Sequence, residues 1–263
     1  MLELKGVKLA FNKGTVNEKQ ALCGVDLTLA DGDFVTVIGG NGAGKSTMLN
    51  VISGVFSVDE GTITLNGKRL NKLKEYKRAA YISRVFQDPL TGTAAEMNVE
   101  ENLALAARRG KKRGLGWGIR KGELDAYKES LSALELGLET RTGQKVGTLS
   151  GGQRQALTLL MASLNSPELL LLDEHTAALD PKTAKKVLCL TQEIVSREKL
   201  TALMITHNMN DAITYGNRLI MMDKGKIVYD VSGEEKKKLT VKDLLGKFET
   251  LTGEVDDKIA LSE

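Results

Sequence analysis

The stretch Phe34-Val35-Thr36-Val37-Ile38-Gly39-Gly40-Asn41-Gly42-Ala43-Gly44-Lys45-Ser46-Thr47 decides the fold. Phe34 to Ile38 is a short run rich in β-branched side chains, the pattern of a buried strand. Gly39 to Ser46 match G-x-x-x-x-G-K-[ST], and an amphipathic pattern from Lys45 to Ile52 predicts a helix. Strand, glycine-rich loop and helix in that order make a phosphate-binding loop. The glycines let backbone N–H groups curl around anionic oxygens, and the helix N-terminus adds its dipole. Lys45 supplies a point charge to the β- and γ-phosphates, and the Ser46 hydroxyl is placed for Mg²⁺. The alternative is a glycine-rich turn before an ordinary helix, which the agreement of motif and context disfavours.

Working outward, Glu3–Phe11 and Val25–Leu29 alternate apolar and polar residues as half-buried strands do, and Asp31-Gly32-Asp33 is a turn. Gly61 to Lys68 reads as a strand and hairpin turn. From Asn98 to Leu138 the pattern is helical and charged. Asn98 is a helix cap with Glu101 three positions on, and Glu123–Leu136 is a second helical run. Strands resume at Leu169–Leu172, Ala202–Ile205 and Arg218–Met222, with a helix over Pro181–Arg197 between the first two. Strand, helix, strand implies a parallel sheet with right-handed crossovers. The architecture is therefore an α/β core interrupted by a helical insertion. The segment after Ser232 is polar, with a helix near Val241–Phe248.

The 263 residues suffice for one large domain or two lobes of one, and 41% apolar content excludes a disordered chain. Lys and Arg number 37 against 34 Asp and Glu, and the resulting +3 argues against a nucleic-acid binder. Cys23 and Cys189 are far apart, in no metal-type spacing, which suits a reducing compartment. No run approaches the roughly 18 apolar residues of a membrane span. Leu157–Leu164 is cut off by Asn165, Ser166 and Pro167, and the N-terminus lacks the form of a signal peptide. The expectation is a chain soluble by itself that sits on a membrane only through a partner.

Leu169–Leu172 run into Asp173-Glu174. A hydrophobic strand ending in an acid brings a carboxylate to the sheet edge where nucleotides sit in open α/β folds. Asp173 would hold Mg²⁺ and Glu174 would orient or deprotonate the attacking water. Leu149-Ser150-Gly151-Gly152-Gln153 lies about twenty residues earlier. Taken together with the phosphate loop and Asp173-Glu174, it resembles the signature motif of the ATP-binding cassette (ABC) family.

That resemblance covers residues 2 to 230 and implies an ABC-type P-loop NTPase. Its mixed sheet core would carry an N-terminal antiparallel β-subdomain, with an ATPase domain over 1–232, a helical subdomain near 90–165 and a polar tail over 233–263. It implies ATP and Mg²⁺ as ligands. Gly39, Asn41, Gly42, Ala43, Gly44, Lys45, Ser46 and Thr47 would cradle the phosphates. Gln87 matches the glutamine that senses metal and γ-phosphate, and Ala178-Leu179-Asp180 the loop that crosses the dimer interface. His207 matches the switch histidine. Phe11 sits where an aromatic stacks on adenine, although Asn12–Gln20 is a long spacer and a core phenylalanine is the other reading. Two cassettes would pair head to tail, with Ser150, Gly151, Gly152 and Gln153 of one closing on the γ-phosphate held by the other. Ser150 would serve equally well as a helix cap, and Asp180 likewise.

Two positions depart from the commonest family pattern: Gly40 and His175 stand where proline is frequent. His175 is also readable as an ordinary turn residue. With Gln87-Asp88-Pro89-Leu90-Thr91-Gly92-Thr93-Ala94-Ala95-Glu96-Met97, the stretch Asp173–Asp180 looks like a subgroup of bacterial importer ATPases. In that subgroup the permeases are similar to branched-chain amino-acid permeases, and the solute-binding partners are associated with small solutes, aromatic amino acids among them. The expected place is the cytoplasmic face of a bacterial membrane, as a peripheral subunit. The competing reading is a soluble ABC ATPase outside transport, for example of the iron–sulfur assembly type. Repair and chromosome members carry long coiled coils, whereas only about 100 residues without sustained heptads separate the loop and the signature here. A dead regulator would lack Glu174 or His207, and both are present. The basic stretch Arg108–Lys121, with Trp117, reads either as a patch near anionic headgroups or as a solvated loop.

Overall fold

Phe34–Ile38 is buried at every position, and the first of two compact units is built around it. The computed structural model describes residues 1–111, 118–119 and 121–252. In chain order the elements begin β1 (Leu2–Phe11), β2 (Lys19–Leu29), β3 (Phe34–Ile38), α1 (Lys45–Ser53), β4 (Glu60–Leu65), β5 (Lys68–Arg69) and α2 (Glu75–Arg78). Then come β6 (Ile82–Val85), α3 (Val99–Ala107), α4 (Lys121–Ser132), α5 (Gly151–Ser163), β7 (Leu169–Asp173) and α6 (Pro181–Arg197). The chain continues through β8 (Ala202–Ile205), α7 (Met209–Thr214), β9 (Arg218–Asp223), β10 (Lys226–Ser232), α8 (Gly233–Lys237) and α9 (Val241–Thr252).

The first unit comprises Met1–Arg78 and the chain from Leu200 onward. Its antiparallel sheet runs β2-β1-β4-β5. The register of β1 against β2 spans Leu2↔Leu29 to Phe11↔Lys19. Leu2, Leu4, Val7 and Leu9 turn inward, so alternation sets which face is covered. The second sheet of this unit places β3 between β8 and β9, parallel to both, and β10 closes antiparallel on β9. The predicted parallel core is therefore present, with an antiparallel edge that the sequence pattern did not announce. The segment after Ser232 is not simply polar. Leu244 and Phe248 of α9 are buried with Ile38, Met209 and Leu219 in one apolar cluster. Lys236 of α8 is also buried, its ammonium donating to the carbonyls of Tyr215 and Gly216.

The second unit is Ala79–Lys199. It holds the parallel pair β6–β7 and the helices α3 to α6. Asn98 and Glu101 form the predicted capping box at α3, Asn98 N–H donating to Glu101 Oε2 at 2.7 Å. The helix expected over Glu123–Leu136 stops at Ser132. Glu135 takes φ +53° and Gly137 φ +70°, which unwinds the chain into a short 3₁₀ turn at Leu138–Thr140. Among the described residues no helix is long and apolar enough to cross a membrane.

Candidate functional site

In the first unit, β3 delivers the phosphate loop. Gly39 has φ +150°, and a Cβ there would lie 2.2 Å from the carbonyl oxygen of Met222, so only glycine fits. Helix α1 starts at Lys45 behind Gly44 with no side-chain cap and no acid in its first turn. Its leading N–H groups and its dipole are thus not answered by any carboxylate of that turn, the arrangement that receives an anion. The Lys45 side chain is buried, and its ammonium donates to the carbonyls of Gly39 at 2.7 Å and Gly40 at 3.0 Å. These are neutral acceptors, weaker than a phosphate oxygen would be. Asn41, Gly42 and Ser46 are exposed, Ala43 is buried and Thr47 half-buried, so the loop opens outward on its polar side.

The strand beside β3 brings His207 to the same edge. Val37 pairs with Ile205, and Thr206 N–H donates to Val37 O at 3.1 Å. His207 follows at once and is exposed. Phe11 ends β1, half-buried, its ring edge-on to Phe56 at 5.2 Å and 78°. Phe11 pairs with Lys19 at the end of the β1–β2 ladder, past a register shift between Leu9 and Ala10, and Asn12 (φ +52°) and Gly14 (φ +72°) help turn the chain between them.

In the second unit, β6 and β7 end together, Val85 opposite Leu172. The acids follow directly. Asp173 Oδ2 accepts from Arg84 Nη2 at 2.6 Å, both side chains 13% exposed. The Arg84 guanidinium also lies over the Phe86 ring at 4.8 Å. Gln87 is exposed just past β6. Glu174 is half-buried at φ +47°, a left-handed conformation that costs a non-glycine residue roughly 1 kcal/mol or more. His175 is fully inside, and its Nε2 lies 3.0 Å from Thr191 Oγ1 of α6. Burial pushes its imidazole down to about 4, so the ring is neutral.

The glycine signature opens α5. Ser150 caps it, with Gln153 N–H donating to Ser150 Oγ at 3.3 Å and Gln153 Oε1 accepting from Ser150 N–H at 3.2 Å. Gly151 is exposed and Gly152 buried. A Cβ on Gly152 would lie 2.1 Å from Thr183 Cγ2 of α6, so the glycine allows the two helix starts to touch. Asp180 caps α6 ahead of Pro181, accepting from Thr183 N–H at 3.1 Å. Hydrogen bonds from Thr183 hold its carboxyl below the usual range. A cavity of about 420 Å³ opens beside Ser150, Gly152, Gln153, Lys182 and Lys186.

The family described as "ABC transporter" matches residues 22–177, more than half of the chain. The chain belongs to the ABC transporter family. It is an ATP-binding subunit of that family, with the P-loop fold of its ATPases. The "Tyrosine transport ATP-binding protein" of Clostridioides difficile (strain R20291) is 46% identical over 95% of this chain and 99% of its own length. The "Phosphonates import ATP-binding protein PhnC" of Treponema denticola is 33% identical over 88% of this chain and 89% of its own. Among solved structures, the dimeric post-hydrolysis state of the cassette MJ0796 bound to ADP and Pi has a TM-score of 0.74. It is 30% identical, over 88% of this chain and 98% of that one.

Within this cassette the expected residues fall into two groups. Phe11, the loop Gly39–Thr47 and His207 belong to the first unit; Gln87, Ser150–Gln153, Asp173, Glu174 and Asp180 belong to the second. Among the described residues no group of three or more His, Cys, Asp or Glu is placed to hold a metal. Ser46, Gln87 and Asp173 offer oxygen donors, the set that Mg²⁺ accepts. Two features escaped sequence reasoning. The Arg84–Asp173 pair joins residues 89 positions apart, and the His175–Thr191 bond joins residues 16 apart. No local pattern signals either. The basic stretch also changes meaning. Arg108 pairs with Glu123 at 2.9 Å, and Arg109 turns inward to Ser83 and to Ala162 O. Burial pulls the Arg109 guanidinium below its ordinary value. These two cations serve packing, while Lys112, Arg113, Trp117 and Arg120 lie outside the described residues.

Proposed function

We propose that the chain is the ATP-hydrolysing subunit of a bacterial importer for a small solute such as an amino acid. It would act as a peripheral subunit on the cytoplasmic face of the membrane. The observation that carries this reading is the glycine loop with Lys45 folded onto it, leading into a helix with no acid in its first turn, in a chain 46% identical to a tyrosine transport ATP-binding protein. Two cassettes bind head to tail, each ATP lying on the phosphate loop of one and the signature of the other. Separate transmembrane permease subunits respond to this closure, and a solute-binding protein delivers the solute outside.

Each residue has a defined task. The loop N–H groups from Gly39 to Thr47 and the Lys45 ammonium bind the β- and γ-phosphates. Phe11 stacks on adenine, and Ser150, Gly151, Gly152 and Gln153 of the second copy hold the γ-phosphate. Asp180 meets the second copy at the interface. Ser46, Gln87 and Asp173 would hold Mg²⁺, which when bound neutralises charge on the phosphate oxygens. Glu174 orients and deprotonates the attacking water, and His207 contacts the γ-phosphate. Positioning and charge stabilisation carry the rate, since phosphoryl transfer asks little covalent chemistry of the protein. Hydrolysis removes the shared γ-phosphate and the dimer reopens.

The test is a pull-down from native membranes with tagged Glu174→Gln protein loaded with ATP. Co-purification of an integral membrane subunit supports the transporter and points to its solute. Recovery of soluble partners alone rejects transport. A Glu174→Gln protein that hydrolyses ATP at the wild-type rate removes Glu174 from its role.

A further inference from the structure

Glu174 sits in a left-handed backbone conformation between two anchored neighbours. A residue in that region persists only where its surroundings over-determine it. On one side Asp173 is held by Arg84 at 2.6 Å. On the other, His175 is 2% exposed and reaches Thr191 in the third turn of α6. The direction of that bond is fixed. The Thr191 hydroxyl donates its single proton to Val187 O at 2.8 Å, so it accepts from His175 Nε2–H at 3.0 Å. The ring is thus locked in one tautomer and one orientation. Beyond it, Ala177 N–H donates to Glu174 O at 3.0 Å and Leu179 N–H to Thr176 O at 3.1 Å, closing the turn that leads to the Asp180 cap. The bond from His175 to Thr191 ties this turn to the body of α6.

We infer that His175 is a positioning residue for hydrolysis: its hydrogen bond to Thr191 holds the strained Glu174 backbone and so sets the carboxylate that acts on water. The inference rests on the reading of Glu174 as the base. His175, buried against α6, acts through its neighbour rather than on the reacting atoms. Its loss lets Glu174 relax toward a right-handed conformation, and a displacement of about 1 Å in a reacting group is enough to cost up to a hundredfold in rate.

The test uses the full chain and measures kcat and KM for ATP. His175→Ala and the near-isosteric Thr191→Val each lower kcat about tenfold or more, with KM within about twofold of wild type. His175→Gln, whose amide reaches as far as Nε2, and Thr191→Ser, which keeps the hydroxyl, recover most of the loss. In a Glu174→Gln background His175→Ala slows hydrolysis no further, because the group it positions is already gone. Three results overturn the inference: an unchanged kcat in both Thr191→Val and His175→Ala, a rise in KM alone, or a full multiplicative loss in the double variant. Should His175→Ala fail to fold, Thr191→Val and its Ser rescue decide the matter. A normal rate in Glu174→Gln alone is a separate result, which removes the base and not merely its positioning.

Discussion

Arg84 and Asp173 meet where water barely reaches, each side chain 13% exposed. A charge pair at that depth gains little over apolar packing, yet removing one partner strands the other. Arg84→Met is therefore expected to lower stability by about 2–4 kcal/mol, read from the urea midpoint of the whole chain. Arg84→Lys should recover only part of this, because an ammonium cannot both bond Asp173 and lie flat over Phe86 as the guanidinium does. The pair also gives the Asp173 carboxylate a defined direction. Arg84 engages Oδ2 from the β6 side, which fixes the carboxylate at the end of β7 rather than leaving its direction to solvent.

At the scale of elements, the glycine signature is a packing device, whatever it binds. Gly152→Ala would push a methyl to 2.1 Å from Thr183 Cγ2 and force α5 from α6, a strain of about 1–3 kcal/mol. Thr183→Ser removes that methyl, keeps the hydroxyl, and should restore the thermal midpoint of Gly152→Ala. If the loss persists in the double variant, the close approach is not its cause. The α7–α8 junction allows a pH test. Burial pushes the Lys236 ammonium down to about 8, below its ordinary value of 10.5. Between those values the unfolded chain binds more protons than the native one, so stability rises with pH across that window. Relative to Lys236→Met, the wild type should gain up to about 3 kcal/mol between pH 8 and 10.5, read as diverging thermal midpoints. Equal slopes would mean that the burial carries no proton linkage. Elements with strong local signals were legible in sequence. Asp180 and Pro181 mark the start of α6, and the unbroken apolar runs mark β3 and β7. β10 was not legible, since all its residues but Val231 are half-buried or exposed and a register shift between Ile227 and Tyr229 breaks the alternation. α7, at 6 residues, is too short to show a period. The candidate site residues stood out in the sequence because phosphate binding demands fixed local spacings. Their anchors, Arg84 and Thr191, were not, because contact across a fold leaves no such trace.

At the scale of the working molecule, the proposed head-to-tail pair would make each nucleotide site from two chains, and this has a consequence that no single-chain enzyme shares. Lys45→Ala spoils the phosphate loop but leaves its signature whole. Ser150→Arg spoils the signature, by placing a bulky cation where the capping hydroxyl opens α5, but leaves its phosphate loop whole. In a homodimer of either variant both sites are broken. In a mixed dimer one site receives the sound loop of one chain and the sound signature of the other, while the second site carries both defects. With Glu174→Gln in every chain to prevent turnover, neither variant should associate in the presence of ATP. Their equimolar mixture should form dimers, at higher concentration than the parent because one bound nucleotide now supplies the contact that two supplied before. Sedimentation velocity distinguishes the outcomes. Association of the mixture alone requires that ATP be shared between loop and signature of different chains. A mixture as monomeric as its parts would mean that each chain completes its site alone, and the proposed coupling of ATP to a separate permease through dimer closure would fall with it.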